Sequence, residues 1–332
     1  MKILILEYAS ASGLNDHSIC AEGHAMLEGL IDDFKSKNAD YILSENSHFE
    51  GKYCNRVEIK GDLMKWLNEN IELYDACVLI APEEDFILYK ITELIEKKNV
   101  EVIGSSSEAV KVCSDKYTLY ESLKDKFNII ETEKIFFDEL DYYTSSFNNG
   151  KKIVKPADGV SCSGISIVKS LKEVNKAAGS MQTNLPYFIL QDFVEGISTS
   201  VSLLSNGEEA VPLSLNLQNI EFKDKGISYN GGEVPFEHKM SLEAKKLAKY
   251  AVESMKGIKG YVGVDVILGD TVHIVEINSR ITTPYVALKD IVNFNLGEAI
   301  FDSVYGILPS KINLNGKISF YKEHNHLKII KE

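Results

Sequence analysis

Short apolar runs spaced by helical patterns limit the folds open to this chain more than any other feature. "KILIL" at Lys2 to Leu6, "ACVLIAP" at Ala76 to Pro82 and "VEVIG" at Val100 to Gly104 are strand-length and show no polar face. Between them lie a helical pattern near Ala21 to Phe34 and another running to Lys98. Such alternation implies a parallel sheet covered on both faces by helices. Residues 1–105 are therefore expected to form an α/β domain. No G-x-G-x-x-G turn follows the first strand, so a dinucleotide-binding reading has no support.

The remainder changes character. "SSSEAVKVCSDKYTLYESLKD" at Ser105 to Asp125 opens with helix-capping residues and has helical spacing, which predicts a helix crossing to a new unit. Short β-type runs split by Gly and Pro over 106–190 predict a small central antiparallel α+β unit. Longer apolar strands over 191–310 predict a second α+β unit, and the Lys-rich tail 311–332 is left unassigned. No internal repeat or low-complexity linker is present.

Composition narrows the function classes. At 44% apolar and 26% charged residues the chain has a globular composition, and a net charge of −13 opposes binding to a nucleic-acid backbone. The early apolar run is far too short for a signal or membrane segment, giving the expectation of a cytoplasmic protein with no membrane partner. Homodimer formation stays open. Cys20, Cys54, Cys77, Cys113 and Cys162 are odd in number, scattered and without a CxxC pair, which sets aside zinc ribbons and disulfide frameworks.

"VHIVEINSRITT" at Val272 to Thr283 places Glu276, Asn278 and Arg280 at alternate positions, which on a strand share one face, with Val275 and Ile277 on the other. With "YVGVDVIL" before it, the segment reads as a hairpin turning on Gly269-Asp270 as a two-residue type II′ loop. That register sets Asp265 opposite Ile274 with Glu276 as its diagonal neighbour, about 7 to 8 Å away. Two carboxylates so close repel unless a positive charge lies between them. Oxygen donors of this kind suit a hard cation, Mg²⁺ or Mn²⁺, that shares its sphere with phosphates. On these residues alone, a metal site and a solvated hairpin face are both open. Arg280 is one of only two arginines, with Arg56, among 36 basic residues; a planar fork of donors suits a phosphate or carboxylate.

A nucleotide needs a phosphate grip, and "IVKPADGVSCSG" at Ile153 to Gly164 offers one. Lys155 ends an apolar strand, and the loop after it carries Gly159, Ser161, Ser163 and Gly164. It is not a P-loop, because Ile165-Ser166 stands where Lys-[Ser/Thr] is required. Taken alone, such a loop is more often an ordinary turn. "ILQDFVEG" at Ile189 to Gly196 is a strand end with Gln191, Asp192, Val194 and Glu195; its backbone can pair a base edge while a carboxylate takes ribose hydroxyls.

The order of these pieces carries a resemblance. An "SDK" helix with Lys116, a "VKP" strand, a Gly/Ser loop, a "QDFVEG" hinge, then "GVDVIL" and "VEINSR" together resemble the ATP-grasp superfamily of carboxylate-amine ligases, over roughly residues 105 to 300. The resemblance implies an ATP-grasp fold, α/β and α+β: an N-terminal parallel-sheet domain (1–105), a central lid subdomain (106–190) and a C-terminal subdomain with the metal site (191–310). It also implies ATP bound with Lys116 and Lys155 on the phosphates, Gln191 and the backbone near Val194 on adenine, and Glu195 near the ribose. Two divalent ions, Mg²⁺ or Mn²⁺, are implied on Asp265, Glu276 and Asn278, with Arg280 on the transferred phosphoryl group. Many members place an acid or His shortly after the Glu195 position, where this chain has Ser198 and Thr199.

Over its whole length, including "ILEYASASG" and "YNGGEVPFEH", the chain is most similar to archaeal members that join L-glutamate to tyramine in methanofuran biosynthesis. The resemblance implies the γ-carboxylate of L-glutamate and the amine of tyramine as substrates. Candidate substrate contacts are Glu7 at a strand end, Ser10, Ser12 and Gly13 in the "SASG" loop, and Gly232 and Glu233 in "GGE".

Overall fold

The structure, a computed structural model, describes all residues except 15–16, 48, 144–149, 161, 224–225, 324–325 and 332. The N-terminal sheet contains β1 (Ile3–Glu7), β2 (Ala39–Ser44), β3 (Asn55–Ile59), β4 (Ala76–Ile80) and β5 (Glu101–Val102), all parallel in the order β3-β2-β1-β4-β5. Every residue of β1 is buried, as expected of a strand covered on both sides. Ile3 and Ile5 pack with Leu27 and Leu30 of helix His17–Asp33 and with Phe34 just after it, whereas Leu4 and Leu6 pack with Leu63 and Leu67 on one helix and Ile91 and Ile95 on another. The chain runs outward from β1 to β3 and then crosses back to β4, so the carboxyl ends of β1 and β4 flank a switch point. In open sheets of this kind that crevice is where ligands bind.

Two antiparallel sheets follow. The smaller holds β6 (Thr132–Phe136), β7 (Lys152–Pro156), β8 (Ser166–Val168) and β9 (Tyr187–Asp192) in the order β6-β9-β7-β8, over its own core of Ile135, Val154, Val168, Val174, Phe188 and Leu190. The larger comprises β10 (Ile197–Asn206), β11 (Ala210–Lys223), β12 (Gly226–Val234), β13 (Lys259–Leu268), β14 (Val272–Asn278), β15 (Ile318–Glu323) and β16 (His326–Lys331). Their order is β14-β13-β10-β11-β12-β15-β16. Its residues Leu204, Tyr261 and Phe320 share one core with Ile3, Tyr41 and Val78 of the parallel sheet. The tail is thus part of this sheet: β15 pairs with β12 and buries Ile318 and Phe320.

Two local expectations are corrected. The helix over Ser105 to Asp125 is two helices, Ser107–Ser114 and Lys116–Leu123, broken at Asp115, whose extended backbone frees its carboxylate to accept from Tyr117 N at 2.9 Å and Thr118 N at 3.0 Å. The hairpin has a three-residue connection: Leu268 pairs with Val272, and Gly269 N–H donates to Thr271 O at 3.1 Å. Below it Val266 pairs with Ile274 but Asp265 pairs with Glu276, so Val275 is an extra residue in a β-bulge. Glu276 is therefore directly opposite Asp265, not diagonal to it.

Phe320→Ala should destabilise the fold by about 3–5 kcal/mol, read as a lower urea midpoint at unchanged slope. A loss below about 1 kcal/mol would show the tail hairpin to be peripheral to the core.

Candidate active site

A cavity of about 420 Å³ opens where the three sheets meet. Its wall takes Glu7 from β1, Lys155 from β7, Gln191 and Asp192 from β9, Asp265 from β13, and Glu276 and Asn278 from β14. Strand alternation explains much of this: Val264, Val266, Ile274 and Ile277 turn into the core beneath, leaving Asp265 and Glu276 above it. The bulge alters one position, since Val275 lines the cavity beside Glu276 instead of facing away.

Burial, and then the charge of Glu276 opposite, push the Asp265 carboxyl up to about 7, against a hydrogen bond from Gln218. Burial also opposes the charge of Glu276, but Lys116 and Lys155 outweigh it and hold that carboxyl below its ordinary range. Lys116 Nζ lies 3.4 Å from Glu276 Oε2 and donates to Gly159 O at 2.6 Å. Lys155 is 4% exposed, and burial pushes its ammonium down to about 8. The two lysines serve Glu276 first, leaving Asp265 short of positive charge. With the Asn278 amide next along, the donors are all oxygens, a set that fits a hard divalent cation completing its sphere with phosphate and water. Two carboxylates and an amide do not make a cluster of three acids, His or Cys, and none is found among the described residues.

Arg280 follows β14 and is fixed from the N-terminal sheet. Its Nε and Nη2 donate to Glu83 Oε1 and Oε2, both at 2.8 Å, and Nη1 donates to Ile281 O at 3.2 Å. Glu83 is 4% exposed and follows β4 at the switch point. The fork keeps two further N–H groups on Nη1 and Nη2 for a ligand. Beyond it, Glu22 pairs with Lys322 of β15 and accepts from the Thr283 hydroxyl, and the Lys322 ammonium sits 5.1 Å from the centre of the Tyr229 ring. Glu83, Glu22, Gln218 and Tyr229 all came to light only in the structure. The one signal that could have found Glu83 is its place just after β4 at the switch point; the other three carry no local signal.

The Gly/Ser loop folds back over the end of β7. Gly164 has φ +69°, and a Cβ there would sit 3.0 Å from Pro156. Ser163 lines the cavity and Gly164 supports it from behind; Ser161 lies outside the described residues. Gln191 is buried and its amide donates to Thr132 Oγ1 at 3.0 Å. Asp192 lines the cavity, although its carboxylate pairs outward with Lys152 at 2.9 Å. Val194 and Glu195 form the rim, where Glu195 is 85% exposed.

Several expected contacts are placed elsewhere. Thr199 is fully buried with its hydroxyl on Val266 O at 3.1 Å, because alternation on β10 turns Ser198 and Ser200, not Thr199, to the cavity. Ser10 donates to Glu7, and Gly13, at φ +70°, ends helix Tyr8–Ser12, of which Ser12 is the last residue. Only Glu7 of that segment lines the cavity. Gly232 belongs to β12, where a Cβ would meet Leu217 O at 2.3 Å, and Glu233 pairs with Lys317 at 2.7 Å. The "GGE" segment is sheet packing.

An "ATP-grasp domain" family model matches residues 113–284, and a "pre ATP-grasp 3 domain" model matches 45–110. The chain is 37% identical over 295 residues to a tyramine–L-glutamate ligase of Methanocaldococcus fervens, covering 86% of this chain and 89% of that protein. It is 35% identical over 303 residues to the tyramine–L-glutamate ligase of Methanocaldococcus jannaschii, covering 86% and 84%. A solved ATP-grasp superfamily protein from Archaeoglobus fulgidus superposes with TM-score 0.75 at 26% identity, over 100% of this chain and 99% of that one. A family model running from the first broken helix to the end of the acidic hairpin, and relatives similar over most of their length, establish that the chain belongs to the ATP-grasp family.

Proposed function

We propose that this chain is an ATP-dependent ligase that joins the γ-carboxylate of L-glutamate to the amine of tyramine, releasing ADP and phosphate, as a step of methanofuran biosynthesis in the cytoplasm. The observation that carries the reading is the gathering of Lys116, Lys155, Asp265, Glu276, Asn278 and Arg280 on one cavity in a chain 37% identical to a tyramine–L-glutamate ligase.

A carboxylate does not react with an amine, because its leaving group would be oxide. Transfer of the ATP γ-phosphoryl group to the γ-carboxylate gives an acyl phosphate, whose phosphate can leave when the amine attacks. In this reading Lys116 and Lys155 hold the nucleotide phosphates and offset charge on the moving phosphoryl group. Arg280, presented by Glu83, takes the γ-carboxylate and then the acyl phosphate oxygens. Gln191 and the backbone at Val194 hold adenine, Glu195 at the rim meets the ribose, and Ser163 covers the phosphates with the loop that excludes water. Mg²⁺ or Mn²⁺, as two ions on Asp265, Glu276 and Asn278, would supply neutralisation of the phosphate oxygens.

The direct test is ADP release by purified protein with ATP and Mg²⁺, comparing no addition, L-glutamate alone, tyramine alone and both. ADP in quantity only with both, with a product of the summed masses less water, is the expected result; no stimulation by either compound while ATP still binds would remove the named substrates. Glu276→Ala should abolish turnover, and near-normal activity in that variant would sink the metal assignment.

Lys155 gives a pH dependence with a definite sign. In the free protein its ammonium titrates at about 8, and a bound polyphosphate favours the charged form and raises that value. Nucleotide affinity is then full below pH 8 and weakens as pH rises through it. Titration calorimetry from pH 7 to 9.5 should show the decline for the native protein and a flatter profile for Lys155→Arg; identical profiles would remove Lys155 from the phosphates.

A further inference from the structure

Glu7 ends β1 at the switch point, in register with Ile80 at the end of β4. Its side chain is 3% exposed yet lines the cavity. Oε1 accepts Ala9 N–H at 2.9 Å, and Oε2 accepts Ser10 N–H at 2.8 Å together with the Ser10 hydroxyl. Among the described residues no cation pairs with it. Burial accordingly raises its pKa despite those three hydrogen bonds. A buried carboxylate lacking a counter-charge is costly to keep. The fold makes room for it all the same: the carboxyl packs directly on Gly23 of helix His17–Asp33, where a Cβ would lie 2.6 Å from the carboxyl carbon. The surrounding wall is apolar, from Ile19, Met26, Ile80 and Pro82.

Glu22 on the same cavity is paired with Lys322 and nearby Glu83 with Arg280, so among the described residues here Glu7 is the carboxylate left without a cation, beside largely apolar walls. In the ligase reading, on which this inference rests, the two substrates differ in what their unreacting ends and bodies carry. L-Glutamate brings an ammonium and a second carboxylate together, and so needs a cation beside an anion. The amine brings one ammonium on an aromatic body, which matches the crevice in sign, number of charges and polarity.

We infer that the switch-point crevice is the amine subsite, in which Glu7 binds the ammonium of an arylalkylamine and takes a proton from it before the amide bond forms. The lone pair so freed on nitrogen makes the C–N bond to the acyl carbon, and the bond from that carbon to the phosphate oxygen breaks, its electron pair leaving with phosphate. Nitrogen sheds two protons in all. One goes to Glu7, which returns it to solvent, and one goes to the departing phosphate.

Hydroxylamine separates this role from a structural one, because it is already uncharged at neutral pH and traps an acyl phosphate as a hydroxamate. In Glu7→Gln, kcat/KM for tyramine should fall about 100-fold or more, while hydroxamate formation from ATP, L-glutamate and hydroxylamine stays within about threefold of the native rate. Equal loss with both nucleophiles, in a variant whose circular dichroism is native, would overturn the assignment. If the variant does not fold, the native protein decides: 4-hydroxyphenylethanol, which replaces the ammonium by a hydroxyl, should compete with tyramine at least about tenfold more weakly than tyramine binds. Equal affinity would overturn the subsite. Absence of hydroxamate with the native protein would instead overturn the ligase reading, and the subsite with it.

Discussion

Two carboxylates set face to face across a buried strand pair cannot both hold their charge unless positive charge is brought to them. Much of the site follows from meeting that demand at Asp265 and Glu276. The break at Asp115 starts a new helix whose first residue is Lys116, which reaches Glu276. Lys155, next to the last residue of β7, adds its charge to the same carboxylate. The bulge at Val275 brings Glu276 level with Asp265, since without it the pair would stand diagonally and be easier to solvate separately. One carboxylate is balanced by lysines and its neighbour is left under-compensated, which is the charge pattern the divalent ion of the ligase reading would complete.

What could be read from the sequence was whatever depends on local pattern. The parallel sheet followed from apolar runs such as "ACVLIAP", whose burial on both faces leaves no alternation to misread. Asp265, Glu276, Asn278 and Arg280 were visible because an acid or a guanidinium at the end of a Val/Ile strand violates the pattern around it. Their register was not visible, because a bulge inserts one residue without any composition signal. The tail shows the same limit: "ISFYKE" alternates weakly, and only pairing with β12 makes Phe320 a core residue.

Longer-range partners were out of reach for a different reason. Glu83 and Arg280 are brought together by the packing of two sheets, and nothing in "APEED" marks which of its acids is buried. Conversely, Gly232 and Glu233 drew notice as an unusual cluster and proved to be a place where adjacent strands come too close for a side chain. Thr199 was misplaced by one residue on β10, where Ser198 and Ser200 face the cavity. A candidate chosen by proximity to a motif carries an even chance of facing the wrong way along a strand.

The parallel sheet and the seven-stranded sheet share one core, and the Glu83–Arg280 fork ties them again at the cavity itself. The four-stranded sheet keeps a separate small core of its own. Two walls of the cavity thus share one core, and the third meets them through the smaller apolar cluster of Ala157, Tyr187 and Ile189 with Tyr117. In the ligase reading, nucleotide enters and leaves against the small sheet, while the crevice at Glu7 and the Glu83–Arg280 fork stand on the shared core.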